Sequence, residues 1–84
     1  MVSCEQHDYL EIVCLYHYPV RLTLDSGVTI EGVASDIVYQ QQVEKSTQCL
    51  ELKQSEGRLL IELDKLVKME VLVDNPHFKI QRFI

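Results

Sequence analysis

The first part of the chain concentrates side chains that can do chemistry. Residues 3–14 read SCEQHDYLEIVC and include two cysteines, one histidine and three acidic residues. Cysteine and histidine are the usual ligands of structural zinc, and a Cys–His pair also supports nucleophilic catalysis. Neighbouring carboxylates serve in acid–base catalysis. The third interpretation is that the acidic residues form a surface that binds a basic partner.

The spacing of the cysteines argues against a single zinc site. Cys4 and His7, and likewise Cys14 and His17, are three residues apart. At a rise of 1.5 Å per residue, Cys4 and Cys14 lie about 15 Å apart on one helix, whereas ligands of one metal converge to within roughly 4 Å. We expect no metal and no cofactor. A metal sensor built from Cys4 and His7, with ligands from two chains, stays as an alternative.

An enzymatic role lacks its accompanying motifs. The sequence has no glycine-rich phosphate loop, no paired-histidine zinc motif and no nucleophile elbow. Asp8 and Glu11 are three residues apart, but two acids on an exposed helix flank are usually solvated surface. A chain of 84 residues also encloses little space from which water is excluded. We expect a protein that is not an enzyme.

A helix is needed to position these residues. Ser3 and Gln6 match a capping box, which predicts a helix that begins at about Cys4. Pro19 ends the helical amide ladder, so we expect the helix to stop near His17. At 100° per residue the helix has an apolar arc and an acidic flank. The arc contains Tyr9, Leu10, Ile12, Val13, Cys14, Tyr16 and His17, and the flank contains Glu5, Asp8 and Glu11.

After the helix the apolar pattern alternates, which is typical of strands. A turn at Gly27 joins segments 20–24 and 28–35 into one hairpin, and a turn at Gly57 joins segments 48–53 and 58–63 into another. A tight turn at 64–66 precedes the last segment, 67–73. Small residues at Gly32 and Ala34 predict a bend or a close backbone approach. The segments are 20–24, 28–35, 48–53, 58–63 and 67–73.

Five short strands after one helix predict a mainly β fold. Closing such a sheet into a small curved barrel, with the helix across one open end, removes its exposed edges. No linker or repeat divides the chain, so we expect one domain over residues 1–84. Residues from about 75 to 84 form a basic and aromatic tail, which we interpret as an added edge strand.

The net charge of −5 is located in the N-terminal part of the chain. Residues 1–36 carry six acidic residues and one base, whereas residues 37–84 carry seven of each. Such asymmetry indicates a charged interaction surface, and an acidic surface repels phosphates and attracts a basic protein. An RNA-binding module that uses Lys45, Lys53, Arg58 and the basic tail is the rival hypothesis, although no basic stripe supports it.

The residues also predict the compartment. Three widely spaced cysteines do not form a closed disulfide framework, and no apolar run is long enough for a signal peptide or a membrane span. We therefore expect a cytoplasmic protein with reduced thiols and no membrane association. We also expect a monomer when the protein is free.

Several stretches together resemble a known family. They are the acidic helix CEQHDYLEIVC at 4–14, LTL at 22–24, the turn at Gly27, ASDIV at 34–38 and ELDKL at 62–66. Over about residues 3–73 the chain resembles the Rho-binding antiterminator family, called Rof. The resemblance implies an Sm-like five-stranded barrel capped by an N-terminal helix, without enzymatic activity.

The resemblance also implies a partner and a site. The family binds the hexameric transcription termination factor Rho and hinders its engagement with RNA, without binding nucleic acid itself. Carried over to this sequence, the acidic residues would face the basic RNA-binding site of Rho's N-terminal domain. The expected partner-binding residues are Glu5, His7, Asp8, Glu11 and Asp36.

Overall fold

One helix is followed by six strands in the computed structural model, which describes residues 4–41 and 46–83, with side chains from Gln6 onward. The predicted fold class, mainly β with one N-terminal helix, is confirmed. The elements are α1 (Cys4–Leu15), β1 (Pro19–Leu24), β2 (Thr29–Gln41), β3 (Ser46–Gln54), β4 (Gly57–Glu62), a 3-10 turn (Leu63–Lys65), β5 (Leu66–Val71) and β6 (Ile80–Arg82).

The strands form one antiparallel sheet in the order β4-β3-β2-β1-β5-β6. Both predicted hairpins, β1–β2 and β3–β4, are present. β2 is 13 residues long and pairs with β1 through its first half and with β3 through its second half. A bulge at Ser35, between Ala34 and Asp36, lies close to the point where β2 passes from one neighbour to the other. Bulges bend and twist a strand, and this one contributes to the curvature of the sheet.

The sheet differs from the predicted five-stranded barrel because it is not closed. Within the described residues, no pairing joins β4 to β5 or β6. The reason is the tail: β6 pairs with β5 along the edge that β1 leaves free, so this edge is not available to β4. The tail is therefore an added edge strand, as the sequence predicted, and β4 is left at the other end of the sheet.

The described helix runs from Cys4 to Leu15 and ends two residues before the predicted end. Ser3 of the predicted capping box lies outside the described residues. His17 has a φ of 52°, which places it in the left-handed region. The N–H groups of His17 and Tyr18 donate to the carbonyls of Cys14 (3.2 Å) and Val13 (3.0 Å). These two hydrogen bonds define a Schellman cap, which stops a helix and turns the chain into the next element.

The core lies between α1 and the concave face of the sheet. Leu10 and Val13 are the fully buried side chains of the helix, whereas Tyr16, predicted on the buried arc, lies beyond the helix end and is exposed. At Gly32 an added Cβ would come within 3.0 Å of the Lys53 carbonyl oxygen, which confirms the predicted close backbone approach. The core contains Leu10, Val13, Val20, Leu22, Ala34, Leu50, Leu52, Ile61, Leu63, Leu66, Met69, Val71 and Phe83.

Candidate functional site

An open groove of about 850 Å³ lies between α1 and β2. Four of the five residues predicted to bind a partner line it, namely His7, Asp8, Glu11 and Asp36. The side chain of the fifth, Glu5, lies outside the described residues, as do the side chain of Cys4 and all of Lys45. The structure thus brings together residues from a helix and a strand that are 25 to 29 positions apart in sequence. We call this feature the acidic groove.

Local structure explains how the acidic groove forms. His7 and Asp8 share a flank of α1 with Glu11 because they precede it by four and three residues, the spacings at which side chains on a helix are neighbours. Asp36 directly follows the β2 bulge and is exposed. Its Oδ1 accepts a hydrogen bond from the N–H of Ile37 at 2.8 Å, which fixes the carboxylate at the end of the bulge.

The histidine of the acidic groove is held by one of the acids. Nδ1 of His7 lies 3.3 Å from Oε1 of Glu11, at the i,i+4 spacing. Nε2 of the same ring is buried and has no hydrogen-bond partner among the described atoms. The Glu11 side chain is 62% exposed. The imidazole therefore orients Glu11, and the carboxylate of Glu11 is the group presented to solvent.

The negative charge of the acidic groove is not balanced by neighbouring bases. No lysine or arginine is among its described lining residues. In the part of the chain with described side chains, Asp8 and Asp36 take part in no ion pair. The Lys and Arg ion pairs found there involve no acid of the groove lining: Arg21 with Glu31 and Glu70, Arg58 with Glu51, Lys65 with Glu62, and Lys68 with Glu70.

The groove cysteine is not an activated nucleophile. Burial, assisted by the negative charges of Asp36, Glu11 and Glu51, raises the pKa of the Cys14 thiol to about 12. The thiolate is the reactive and metal-binding form, so a thiol that keeps its proton at neutral pH is a poor nucleophile and a poor ligand. His17, three residues after Cys14, places its Nδ1 3.3 Å from the Ala34 carbonyl oxygen.

Apolar side chains on the rim of the acidic groove were not predicted as part of a site. Leu15 is 70% exposed and Tyr39 is 69% exposed, and both line the groove. Tyrosine is enriched at protein interfaces and among the residues that carry most of the binding energy, and the exposed leucine adds apolar area beside it. A tyrosine joins an aromatic ring to a polar tip, a residue type that interfaces favour, whereas Leu15 gave no such signal.

A fourth acid near the acidic groove, Glu51, was also missed. The register of β2 and β3 places Glu51 directly opposite Asp36. Residues opposite each other in a sheet have Cβ atoms about 5 Å apart, so the negative surface extends from β2 to β3. One side of Glu51 is occupied by Arg58, whose guanidinium lies 3.5 Å from Oε1. The sequence separation of 15 residues concealed this pair, because only the strand register reveals it.

The bases of the rival RNA-binding hypothesis do not gather into one stripe. Lys53 and Arg58 oppose each other across β3 and β4, and Arg58 is paired with Glu51. Lys79 and Arg82 belong to the tail, around β6, at the other end of the strand order. A groove that tracks a nucleic-acid backbone needs a continuous row of bases, and the described residues do not form one.

Metal ligation and membrane insertion both lack support in the described residues. No group of three or more His, Cys, Asp or Glu side chains comes close enough together there to hold a metal ion. No helix in that part of the chain is long and apolar enough to span a membrane.

The fold and the acidic groove define a small, mainly β protein with one helix that displays an uncompensated acidic surface. The chain belongs to the Rof family, modulators of Rho-dependent transcription termination, whose family model matches residues 1–83. The predicted family is thereby confirmed.

Known relatives agree with this family. Protein rof of Escherichia coli (strain K12) and protein rof of Shigella flexneri are each 35% identical over 43 residues, which cover 51% of this chain and 51% of the relative. The match thus spans about half the length of these curated relatives. A solved structure of YaeO bound to magnesium, from Vibrio cholerae O395, has a TM-score of 0.80 and 42% identity, and covers 92% of this chain and 96% of its own.

Proposed function

We propose that this chain inhibits Rho-dependent termination by binding Rho through the acidic groove, so that RNA is excluded from Rho. The observation that carries the proposal is the convergence of Asp8, Glu11 and Asp36 on one groove without a described lysine or arginine in its lining. The predicted site residues Glu5 and His7 belong to the same proposal, Glu5 as a further acid of α1 and His7 as the residue that orients Glu11.

Charge complementarity explains why such a groove competes with RNA. An RNA-binding site neutralises phosphates with lysine and arginine, so its surface is basic. Carboxylates on a helix and a strand present negative charge at fixed positions, and little ordering entropy is lost when they bind. The exposed Leu15 and Tyr39 add apolar contact beside these charges. Occupying the basic surface is then sufficient to exclude RNA.

Charge complementarity also indicates which domain of Rho the chain contacts and how salt affects the complex. In this proposal the chain contacts the N-terminal RNA-binding domain of the Rho hexamer in the cytoplasm, and it acts without catalysis and without binding nucleic acid itself. Electrostatic attraction speeds association, and salt screens this attraction and so weakens binding. We therefore expect affinity that falls steeply as the salt concentration rises.

The proposed function includes no metal ion. The Vibrio cholerae neighbour was solved bound to magnesium. Magnesium prefers several oxygen ligands in a near-octahedral arrangement. Magnesium usually keeps several waters and binds proteins through one or two carboxylates, so the proposal treats the groove acids as charges that face Rho and requires no metal bound to them.

The decisive experiment reverses the charge of the acidic groove. Purified Rho is captured with the wild-type chain and with the D8K/E11K variant, at two salt concentrations. We expect the wild type to capture Rho in a salt-sensitive manner and the variant to lose capture while unfolding at the same temperature. A matched control, E56K/D74K, makes the same change in net charge at two exposed acids outside the groove.

The control separates local from global electrostatics. Capture that survives in D8K/E11K would remove the groove flank of α1 from the interface. Equal loss in D8K/E11K and E56K/D74K would show that net charge alone drives binding. A pyrimidine-rich RNA added to a parallel sample should displace the captured Rho, since the proposal requires a shared surface. A gel shift with the same RNA and this chain alone should show no complex at low salt; a complex would favour the rival RNA-binding module.

A further inference from the structure

The free edge of β4 is a second candidate interface, separate from the acidic groove. β4 pairs with β3 on one side, and no described strand pairs with its other side. Two of its apolar side chains are exposed, Leu59 at 40% and Leu60 at 45%. A hydrophobic strand with one free edge is a template for pairing with another strand.

The hairpin geometry determines which backbone groups reach this edge. Gln54 and Gly57 oppose each other across a two-residue turn. The residues that close such a turn are hydrogen-bonded to each other, and successive residues of an antiparallel strand alternate in direction. Arg58, Leu60 and Glu62 therefore direct backbone groups away from β3, toward the free edge.

We propose that β4 pairs with β4 of a second copy of this chain, antiparallel, about a two-fold axis at Leu60. This register places Arg58 opposite the partner's Glu62, and Glu62 opposite the partner's Arg58. Leu60 meets its own symmetry mate. On the other face of the strand, the exposed Leu59 lies opposite the partner's Ile61. The single register thus pairs opposite charges at both ends and covers both exposed leucines.

Other symmetric registers are disfavoured by the same residues. Edge-directed residues must face edge-directed residues, so the axis shifts in steps of one residue along the strand. An axis at Arg58 places two arginines opposite each other, and an axis at Glu62 does the same with two glutamates; like charges directly opposite are destabilising. An axis at Leu59 or Ile61 leaves one charged residue opposite a leucine and shortens the paired segment.

The charges are available for this pairing. The Arg58 side chain is 63% exposed and its contact with Glu51 is 3.5 Å long, and the Lys65–Glu62 contact is 3.7 Å long. Both contacts lie at the surface, where ion pairs contribute little stability and rearrange readily. A two-fold interface closes on itself, so association stops at the dimer. Because a single six-residue strand buries much less than the area of a standard interface, the dimer is weak and the free chain is monomeric when dilute.

A charge-swap series tests the register. Sedimentation equilibrium from micromolar to millimolar concentration should show the mass rising from one chain to two. The variants R58E and E62R should each weaken the dimer about tenfold, because each creates two like-charge pairs, and R58E/E62R should restore it. The intramolecular contacts of Glu51 and Lys65 are disturbed in the double variant as well, so rescue reports on the contact between copies.

Two further variants keep the test decisive. K53E makes the same charge reversal one strand away from the edge, opposite Arg58, and should leave the dimer intact. L60P removes an edge-directed N–H, a change that edge strands tolerate, and should abolish dimerisation. Thermal unfolding of each variant checks the fold. A monomer at every concentration, an assembly larger than two, or failure of R58E/E62R to restore the dimer would overturn the proposal. No step involves Rho, so the outcome is independent of the proposed function.

Discussion

The two flanks of α1 face surroundings that are built differently. On one flank is the acidic groove, which is open, acidic and rimmed by the exposed Leu15. On the other flank, the ring of Tyr9 packs edge-on against Phe78 of the tail, with centroids 4.8 Å apart and planes at 73°. The Gln6 amide donates to the Arg82 carbonyl oxygen at 3.3 Å on that side. One helix thus separates the open acidic groove from a packed surface.

On the tail flank, one side chain, that of Asn75, makes four hydrogen bonds to the backbone of its loop. Oδ1 of Asn75 accepts hydrogen bonds from the N–H groups of His77 (2.9 Å) and Phe78 (3.1 Å). Its amide nitrogen donates to the carbonyl oxygens of Val73 and Phe78, both at 3.0 Å. This network folds the loop so that Phe78 reaches Tyr9 and His77 stacks on Tyr16 at 5.0 Å.

The two flanks differ in what a substitution there should change: the free energy of unfolding on the tail flank, and the proposed binding on the groove flank. Where polar groups are satisfied and rings are packed, substitutions act on the free energy of unfolding. Where charges lie at the surface without partners, substitutions change the free energy of unfolding little. The two properties should therefore be separable by mutation on opposite sides of the same helix.

The largest expected effect on stability is on the tail flank. F78A removes the ring that packs on Tyr9 and should lower the free energy of unfolding by about 2–3 kcal/mol, as for a partly buried aromatic residue. Urea unfolding measures the loss. The matched control is Y39A, which removes an exposed aromatic residue from the acidic groove. Y39A should unfold at the wild-type urea concentration and capture less Rho, whereas folded F78A should capture Rho normally; the opposite pattern would reverse our assignment of the flanks.

The next effect concerns the Asn75 network. N75A leaves several backbone groups of the loop without their partner and should lower the free energy of unfolding by about 1–3 kcal/mol. N75D keeps the acceptor for the N–H groups of His77 and Phe78 but places a carboxylate oxygen against the carbonyl oxygens of Val73 and Phe78, so it should also be destabilised. Thermal unfolding ranks the two variants. Equal stability of N75A and wild type would show that the loop conformation does not depend on this side chain.

The contrast between the flanks also explains what the sequence could predict. The sequence predicted a helix in the N-terminal part of the chain, and helical spacing placed Asp8 and Glu11 on one flank, because both are local properties of the chain. The contact between Tyr9 and Phe78 joins residues 69 positions apart, and no periodic pattern encodes it. For the same reason the open sheet was not foreseen, since it depends on β6 occupying the edge of β5.

The acidic groove shows the same limit. Asp36 was associated with the helix acids through the family resemblance, and the structure shows the bulge that brings it there. Glu51 could not be added, because its place opposite Asp36 follows from the strand register. The end of the helix was also missed: the left-handed conformation of His17 is more common for glycine, so the residue type gave no signal for a Schellman cap.

An alkaline titration probes the partly buried thiol of Cys14, which lines the acidic groove. The folded chain holds the pKa of Cys14 at about 12, against an ordinary value of 9.0. A raised folded-state pKa favours folding below the unfolded value, so this contribution is fully present below pH 9 and is lost as the pH rises toward 12. Burial and Glu62 raise the pKa of Cys49 in the same direction. Stability should therefore fall above pH 9 more steeply in the wild type than in C14A, and least steeply in C14A/C49A; parallel curves from urea unfolding would contradict the raised pKa.

The smallest expected effect is at the acidic groove, where a substitution should raise the free energy of unfolding and not lower it. D8N/D36N removes two uncompensated charges, and the amide introduced by D36N keeps an oxygen that accepts the Ile37 N–H. Relief of repulsion among the groove acids should raise the free energy of unfolding by about 0.5 kcal/mol or less at low salt. Added salt screens the same repulsion in the wild type, so the two proteins should converge in thermal stability. The control E56Q/D74N neutralises two exposed acids elsewhere, and an equal gain there would attribute the effect to net charge. A gain confined to D8N/D36N, together with weaker capture of Rho, would show that the groove charges lower stability while they serve binding.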